Sequence, residues 1–352
     1  MLMPSVGDTR FAFYAKRYSR SKASIRLRLL EPIEALRETG VDARRYPRFG
    51  GADDFDAVII SKAFGRGARR VARKAEEAGC RLILDMCDNR FANPCGKDAA
   101  SYTSGARDLL RRADIVTVPT NHMGRLLLSC VPDIAGKLRV VPDMLDVMDP
   151  NAARRPSLPD RLRLVRLRAF LGRHSGALHC VWFGNNMAGV SGLGELGRAI
   201  GQLRDFAARH PVTLTIISNR RDLYRFHSRD WPFPHIYMPW SLGSFPVALA
   251  MHRVAIVPVA RNDYTAGKSI NRPATAIMAG LGVVADAIES YEELRPYIAL
   301  DDWQGGLARY AFGWGEEQDR LSAARAHLDR RYGRRRIAER WRDILHETVN
   351  PL

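Results

Sequence analysis

The stretch "KSINRPATAIMAGLGVVAD", residues 268–286, places Lys268, Asn271 and Arg272 within about one helical turn and then runs into an apolar strand. Pro273 suits the first turn of a helix, where its missing N–H costs nothing. That makes Asn271 or Arg272 the capping region and leaves Lys268 in the preceding loop. The helix "PATAIMAG" is small and apolar, ends at Gly280 and feeds the strand. Two cations and a positive helix end then converge where an anionic group is stabilised twice, and phosphate fits that chemistry. The bland alternative pairs Lys268 and Arg272 with nearby acids such as Asp263, Asp286 or Glu289.

A second stretch, "VWFGNNMAGVSGLGEL" (181–196), is a strand ending at Gly184, a small polar loop with Asn185 and Asn186, and a helix opening near Ser191. Glycines let a backbone approach a phosphate closely, and free amides at a helix start carry partial positive charge, so the loop suits a diphosphate. It is neither GxGxxG nor a Walker lysine loop, and a plain strand-to-helix turn explains it about as well.

These residues need elements to position them, and the chain supplies an alternation of apolar strands and amphipathic helices. Strands are predicted at 10–15, 56–61, 81–86, 114–120 and 138–143, separated by the helical patterns "ASIRLRLLEPIEALRETG", "GARRVARKAEEAG" and "SGARDLLRRA". A proline-rich linker, "DPNAARRPSLPD" (149–160), precedes a helical "RLRLVRLRAFLGRH". Strands then recur at 178–184, 212–218, 235–240, 254–259 and 282–286, with helices near 192–209, 243–251, 272–280 and 289–295. Buried strands alternating with helices make parallel sheets covered on both faces. The expected class is α/β, with two doubly wound units facing across a cleft and ligands beyond the carboxyl ends of the strands.

The 352 residues suit two domains, and 46% hydrophobic content supplies a core for each. Five scattered cysteines without a CxxC read as reduced thiols, so neither a disulfide frame nor a metal site is expected. No apolar run approaches the roughly 20 residues that span a bilayer, and no secretory leader pattern opens the chain. The expected location is cytoplasmic. The net charge of +17 permits peripheral contact with the inner face of a membrane, and would suit any anionic partner. Because the arginines are spread over helical stretches, solvated helix faces explain them better than a nucleic-acid groove.

The blocks "ADIVTVPT", "LRVVPDMLD", "VWFGN", "MPW", "HRVAIVPV" and "KSINRPATAIMAGLGVVADAIESYEEL" together resemble GT-B glycosyltransferases of the retaining, family-4-like group. The resemblance implies two Rossmann-like domains: an N-terminal acceptor domain (1–148), a linker and helix (149–177), a nucleotide-sugar domain (178–335), and a last helix (336–352) crossing back to the N-terminal domain. It implies a nucleoside-diphosphate-sugar donor, a glycan or other hydroxyl acceptor, surface glycan or glycoconjugate biosynthesis, and no required cofactor or metal. The family's two glutamates, eight positions apart, fall on Gly267 and Thr275 here, and Gly282 replaces a proline.

By the same resemblance, Lys268 and Arg272 are the catalytic candidates, stabilising the leaving diphosphate. Gly184, Asn185, Asn186, Arg220, Asp263, Tyr264, Ser269, Asn271 and Thr275 are donor-side candidates; Asp88, Asn89 and His122 are acceptor-side candidates. Asp88 and Asn89 are also what a strand-ending turn prefers. A basic loop after the first strand, "KRYSRSKASIRLR", suits an anionic acceptor, and a solvated basic helix start explains it equally well. The lost glutamates leave open a noncatalytic protein that binds a nucleotide-sugar or a partner, and a nucleotide-sugar epimerase shares the fold. A nucleic-acid binder ranks last.

Overall fold

The computed structural model describes residues 9–48, 51–92, 99–146, 148, 156–184 and 192–349, with the side chains of 99–102 and 349 left aside. The chain divides into two compact units.

The first unit comprises Met1–Leu145, Asn262–Ser269 and Asp329–Leu352. Its sheet holds six parallel strands in the order β2-β1-β3-β4-β5-β6. They are β1 (Arg10–Tyr14), β2 (Asp42–Arg45), β3 (Ala57–Ser61), β4 (Arg81–Asp85), β5 (Ile115–Val118) and β6 (Leu138–Val140). Strand β3, "AVIIS", is buried throughout, as a central parallel strand covered on both faces must be. The helices are α1 (Ala23–Ile25), leading through a π turn at Arg26–Leu30 into α2 (Glu31–Glu38), then α3 (Arg66–Glu77), α4 (Ala99–Arg112) and α5 (Asn121–Cys130). The short α10 (Asp263–Ala266) and the last helix, α14 (Arg334–Val349), complete this unit. Trp341 of α14 is buried edge-on against Phe13 of β1, with ring centroids 5.6 Å apart.

The second unit comprises Asp146–Arg261 and Ile270–Leu328. Its six parallel strands run β12-β11-β10-β7-β8-β9. They are β7 (Leu178–Phe183), β8 (Val212–Ser218), β9 (His235–Pro239), β10 (Val254–Val257), β11 (Gly282–Ala285) and β12 (Ala299–Leu300). Around them lie α6 (Leu158–Arg173), α7 (Leu196–Ala207), α8 (Arg221–His227), α9 (Phe245–Leu249), α11 (Asn271–Met278), α12 (Trp303–Phe312) and α13 (Trp314–Tyr332), whose last turn belongs to the first unit. Trp182, Leu214, Phe206 and Tyr310 centre the core.

Two strands expected from neither β-branching nor alternation are β2, "DARR", and the two-residue β12. The boundaries also differ from a division at 178 and 336. The helix α6 belongs to the second unit, and the chain enters the first unit at Asp329. Residues 262–269, sequentially inside the second alternation, belong to the first unit, where Gly267 backs onto Met123 of α5.

Candidate functional site

In the first unit, polar side chains gather where β3, β4 and β5 end. Asp85, the last residue of β4, is fully buried and accepts from Ser61 Oγ (2.7 Å) and Thr117 Oγ1 (2.9 Å). Arg28, 1% exposed, sits in the π turn and pairs with Asp85 and with Asp143 (3.2 Å). A buried arginine shared by two carboxylates is a satisfied network that fixes the helix over the sheet edge. Ser269 Oγ donates to the other oxygen of Asp143 at 2.5 Å.

Three residues beyond Asp85, Asp88 faces three cations: Lys268 Nζ at 2.6 Å, Lys62 Nζ at 2.9 Å and Arg90 Nη2 at 3.4 Å. Tyr264 donates its hydroxyl to Asp88 (3.4 Å), and Lys268 Nζ lies 4.2 Å from the centroid of its ring. Burial alone would raise the Asp88 pKa; the charges of Lys62, Lys268 and Arg90 overrule it and hold the carboxyl well below its usual range. An acid held so firmly ionised is a poor general base. Three cations around one carboxylate suit an anion better than proton transfer. Lys62 adopts φ +53°, the left-handed region that costs a side-chain-bearing residue, and its Nζ is also 2.8 Å from Ser24 Oγ. Cys87 is inert as a nucleophile, since burial pushes its thiol up to about 12.

The strand-ending turn holds for Asn89, whose Oδ1 accepts from the amides of Phe91 (3.1 Å) and Ala92 (3.3 Å). Its Nδ2 donates to the carbonyl of exposed Asp263 (3.2 Å). Asn262 caps α10 by accepting from the amides of Tyr264 and Thr265. His122 lies in the first turn of α5, 3.3 Å from Arg125 Nη2.

In the second unit, Arg272 and Pro273 fall in the first turn of α11, but the helix begins earlier than the capping expectation placed it: Ile270 is the N-cap, without a side-chain cap, and Asn271 is already the first helical residue. The helix ends at Met278, ahead of Gly280, which takes φ +89° while Gly280 N and Leu281 N bond back to Ile277 O and Ala276 O. The Arg272 guanidinium lies 5.8 Å from the centroid of the Trp182 ring and pairs with Glu195 (3.4 Å). Glu195, 4% exposed, also accepts from Gly192 N (2.9 Å) and Ala260 N (3.2 Å). Gly192 has φ +123°, which favours glycine. Thus Glu195 ties the start of α7 to the end of β10 and fixes a cation beside the end of β7. Tyr291 is buried there too, its phenol pushed up to about 12 by desolvation.

Lys268 pairs with Asp88 and Arg272 with Glu195, each pair within its own unit. Asp286 is committed elsewhere, accepting from Val259 N (3.0 Å) and Trp303 Nε1 (3.0 Å) and pairing with Arg198. Gly184 does not offer a free amide, because its N–H donates to Ile217 O (3.2 Å). It supplies space instead: a Cβ there would meet the Trp182 ring at 3.1 Å and Arg272 Nη2 at 3.6 Å. Asn185 and Asn186 lie outside the described residues. Arg220 is turned to solvent on Asp222 (2.6 Å), and Thr275 is buried within α11. Among the described residues no three His, Cys, Asp or Glu side chains converge as a metal-ligand set.

Sequence reasoning missed Lys62, Arg90 and Glu195. Lys62 follows a continuous apolar strand, the position where parallel sheets present ligand contacts, so the rule applied to Gly184 would have found it.

No protein-family model and no curated protein sequence matches the chain. Solved structures do match, across nearly its whole length. Anabaena HepE, determined with UDP and glucose, aligns at TM-score 0.60 and 15% identity over 96% of this chain and 99% of its own. A Rickettsia africae glycosyltransferase aligns at 0.62 and 9% identity over 98% and 100%. An Escherichia coli trehalose-6-phosphate structure bound with UDP-2-fluoro glucose aligns at 0.56 and 10% over 84% and 74%. The fold is therefore that of the GT-B glycosyltransferases, with two Rossmann-like domains.

Proposed function

We propose that this protein transfers a sugar from a nucleoside-diphosphate sugar to a hydroxyl acceptor. One observation carries the reading: Arg272 is held in the first turn of α11, beside the end of β7, by a buried glutamate. A helix dipole disfavours a cation in its first turn, so this arrangement costs local stability and repays it when a diphosphate binds. HepE was captured with UDP, and the shared fold supports a donor of the same class here.

In this reading Arg272 offsets the negative charge developing on the leaving diphosphate, and Asn271 orients the donor. Side-chain cations take the place of a divalent metal, and retention of configuration follows the family resemblance. The acceptor belongs to the first unit, where Lys62, Lys268 and Arg90 around Asp88 suit a phosphate or carboxylate on the acceptor; Lys268, read from the sequence as a cation for the leaving diphosphate, serves the acceptor in this reading. Tyr264, whose hydroxyl meets Asp88 and Lys268, borders that charge, and Asn89 and His122 remain acceptor-side candidates of the same unit. The product is a surface glycan or glycoconjugate.

The test is calorimetry and thermal shift of the protein with UDP, GDP, ADP, CMP and dTDP sugars, beside Arg272→Ala. Selective stabilisation by one donor, lost in the variant, is expected. If no nucleotide binds, the donor assignment falls. A second reading, binding without transfer, is favoured by the absence of a carboxylate at Gly267 and Thr275; a donor that binds but yields no transfer or hydrolysis product would select it.

A further inference from the structure

Five large apolar side chains are highly exposed among the described residues, and three of them share one face of α6: Leu158 (70%), Leu162 (64%) and Val165 (60%). Scattered exposed leucines mean little; a stripe does. At about 100° per residue, exposed Ala169 continues the stripe, Arg166 and Arg173 border it on one side, and Arg161 and Arg168 border it on the other. The helix is anchored by its opposite face, through buried Leu164, Leu167, Phe170 and Leu171, and is capped by Ser157, whose hydroxyl accepts from Asp160 N. Asp160 is occupied by Arg163 at 2.9 Å. Among the described residues no acid pairs with Arg161, Arg166, Arg168 or Arg173.

From this we propose that α6 seats the protein on an anionic lipid surface, with Leu158, Leu162 and Val165 entering the acyl boundary and the bordering arginines reaching the headgroup phosphates. An apolar stripe with a basic border is the pattern of an interfacial helix, and long arginine stems let the charge stay at headgroup level while the stripe descends. Self-association through this face is opposed by the same charges, since two stripes meeting would bring eight arginines together without an acid between them. A second basic ridge, Arg66, Arg69, Arg70 and Arg73 on one face of α3, has no apolar stripe; it offers charge alone.

The experiment is co-sedimentation of the full chain with vesicles of pure phosphatidylcholine or of phosphatidylcholine mixed with phosphatidylglycerol. Wild type is expected to prefer the anionic vesicles. The double variant Leu162→Glu, Val165→Glu should lower partitioning at least roughly tenfold, and Arg161→Gln with Arg166→Gln should lower it about fivefold per arginine. All four side chains are solvent-exposed, so unchanged melting of each variant certifies the fold. Failure of wild type to bind anionic vesicles overturns the proposal. So does undiminished binding by the Leu162, Val165 variant, above all if Arg66→Gln with Arg70→Gln abolishes binding instead. A dimer in sedimentation velocity that the Leu162, Val165 variant dissolves would reassign the stripe to self-association and overturn it equally.

Discussion

Lys268 Nζ reaches Asp88 Oδ1 at 2.6 Å across 180 residues of chain, and this pair places the loop after β10 in the first unit. Both partners are mostly buried, Asp88 at 8% and Lys268 at 31% side-chain exposure. Geometry this close in a shielded setting is worth more than a surface ion pair.

Asp88→Asn should therefore destabilise the protein by roughly 3 kcal/mol, because Lys62, Arg90 and Lys268 would keep their charge and lose its counterpart. The pH dependence carries a sign. The folded pKa of Asp88 is depressed, so its contribution is complete above the ordinary carboxylate value of about 4 and drains away as pH falls below it. Urea unfolding of wild type and Asp88→Asn should converge toward acid pH; a constant gap between them would show that the three cations do not hold Asp88 ionised.

The repetition of strand and helix was legible because parallel strands covered on both faces are rich in apolar and β-branched residues, as "AVIIS", "VTLTIIS" and "GVVA" are. Strand β2, "DARR", was not, because an edge strand needs no apolar pattern when its pairing comes from backbone bonds to β1. Within the candidate site, Arg272 was legible from the Pro273 rule for helix starts. Its partner Glu195 was not, since a buried carboxylate inside "SGLGELG" looks like any helix-start acid. The allegiance of residues 262–269 to the first unit rests on contacts such as Lys268 with Asp88 and Asn89 with Asp263, and no local pattern encodes contacts over such separations.

Gly282 stands where the resemblance expects proline, and the packing explains it. A Cβ at this residue would lie 2.4 Å from the Tyr310 ring, and its N–H donates to Arg253 O (2.9 Å) as β11 begins. Gly282→Ala should cost about 1–3 kcal/mol through overpacking, and Gly282→Pro more, since it also removes the hydrogen bond. Tyr310→Ala in the same chain should relieve part of the Gly282→Ala penalty in a double-mutant cycle. Strict additivity of the two would contradict the contact.

Glu195→Gln tests how Arg272 is positioned. The amide keeps one acceptor oxygen, so it can still serve Gly192 N or Ala260 N, but it no longer holds the guanidinium by charge. Under the donor-site reading, UDP affinity should fall about tenfold while melting shifts little relative to Glu195→Ala. Equal donor affinity in wild type and Glu195→Gln would mean that Arg272 needs no such support.

His252 gives the second unit its own pH sensitivity. The ring is buried, with Nδ1 2.8 Å from Ala248 O and Nε2 2.7 Å from Thr215 Oγ1. A carbonyl oxygen only accepts, so Nδ1 carries the proton, and a neutral ring then takes the Thr215 hydroxyl hydrogen on Nε2. Burial pushes the His252 pKa down from 6.5 to about 4. Because the folded value lies below the unfolded one, the unfolded chain takes up the proton first as pH falls. Stability is complete above about 6.5, declines toward about 4 and is flat beneath that, a loss of about 3 kcal/mol from this residue. His179 and His235 are lowered as well and contribute the same background to wild type and variant. Urea unfolding at several pH values should show a shallower decline between those limits for His252→Gln than for wild type. Parallel profiles would mean that His252 titrates in the folded protein as it does in the unfolded chain, so that burial does not lower it.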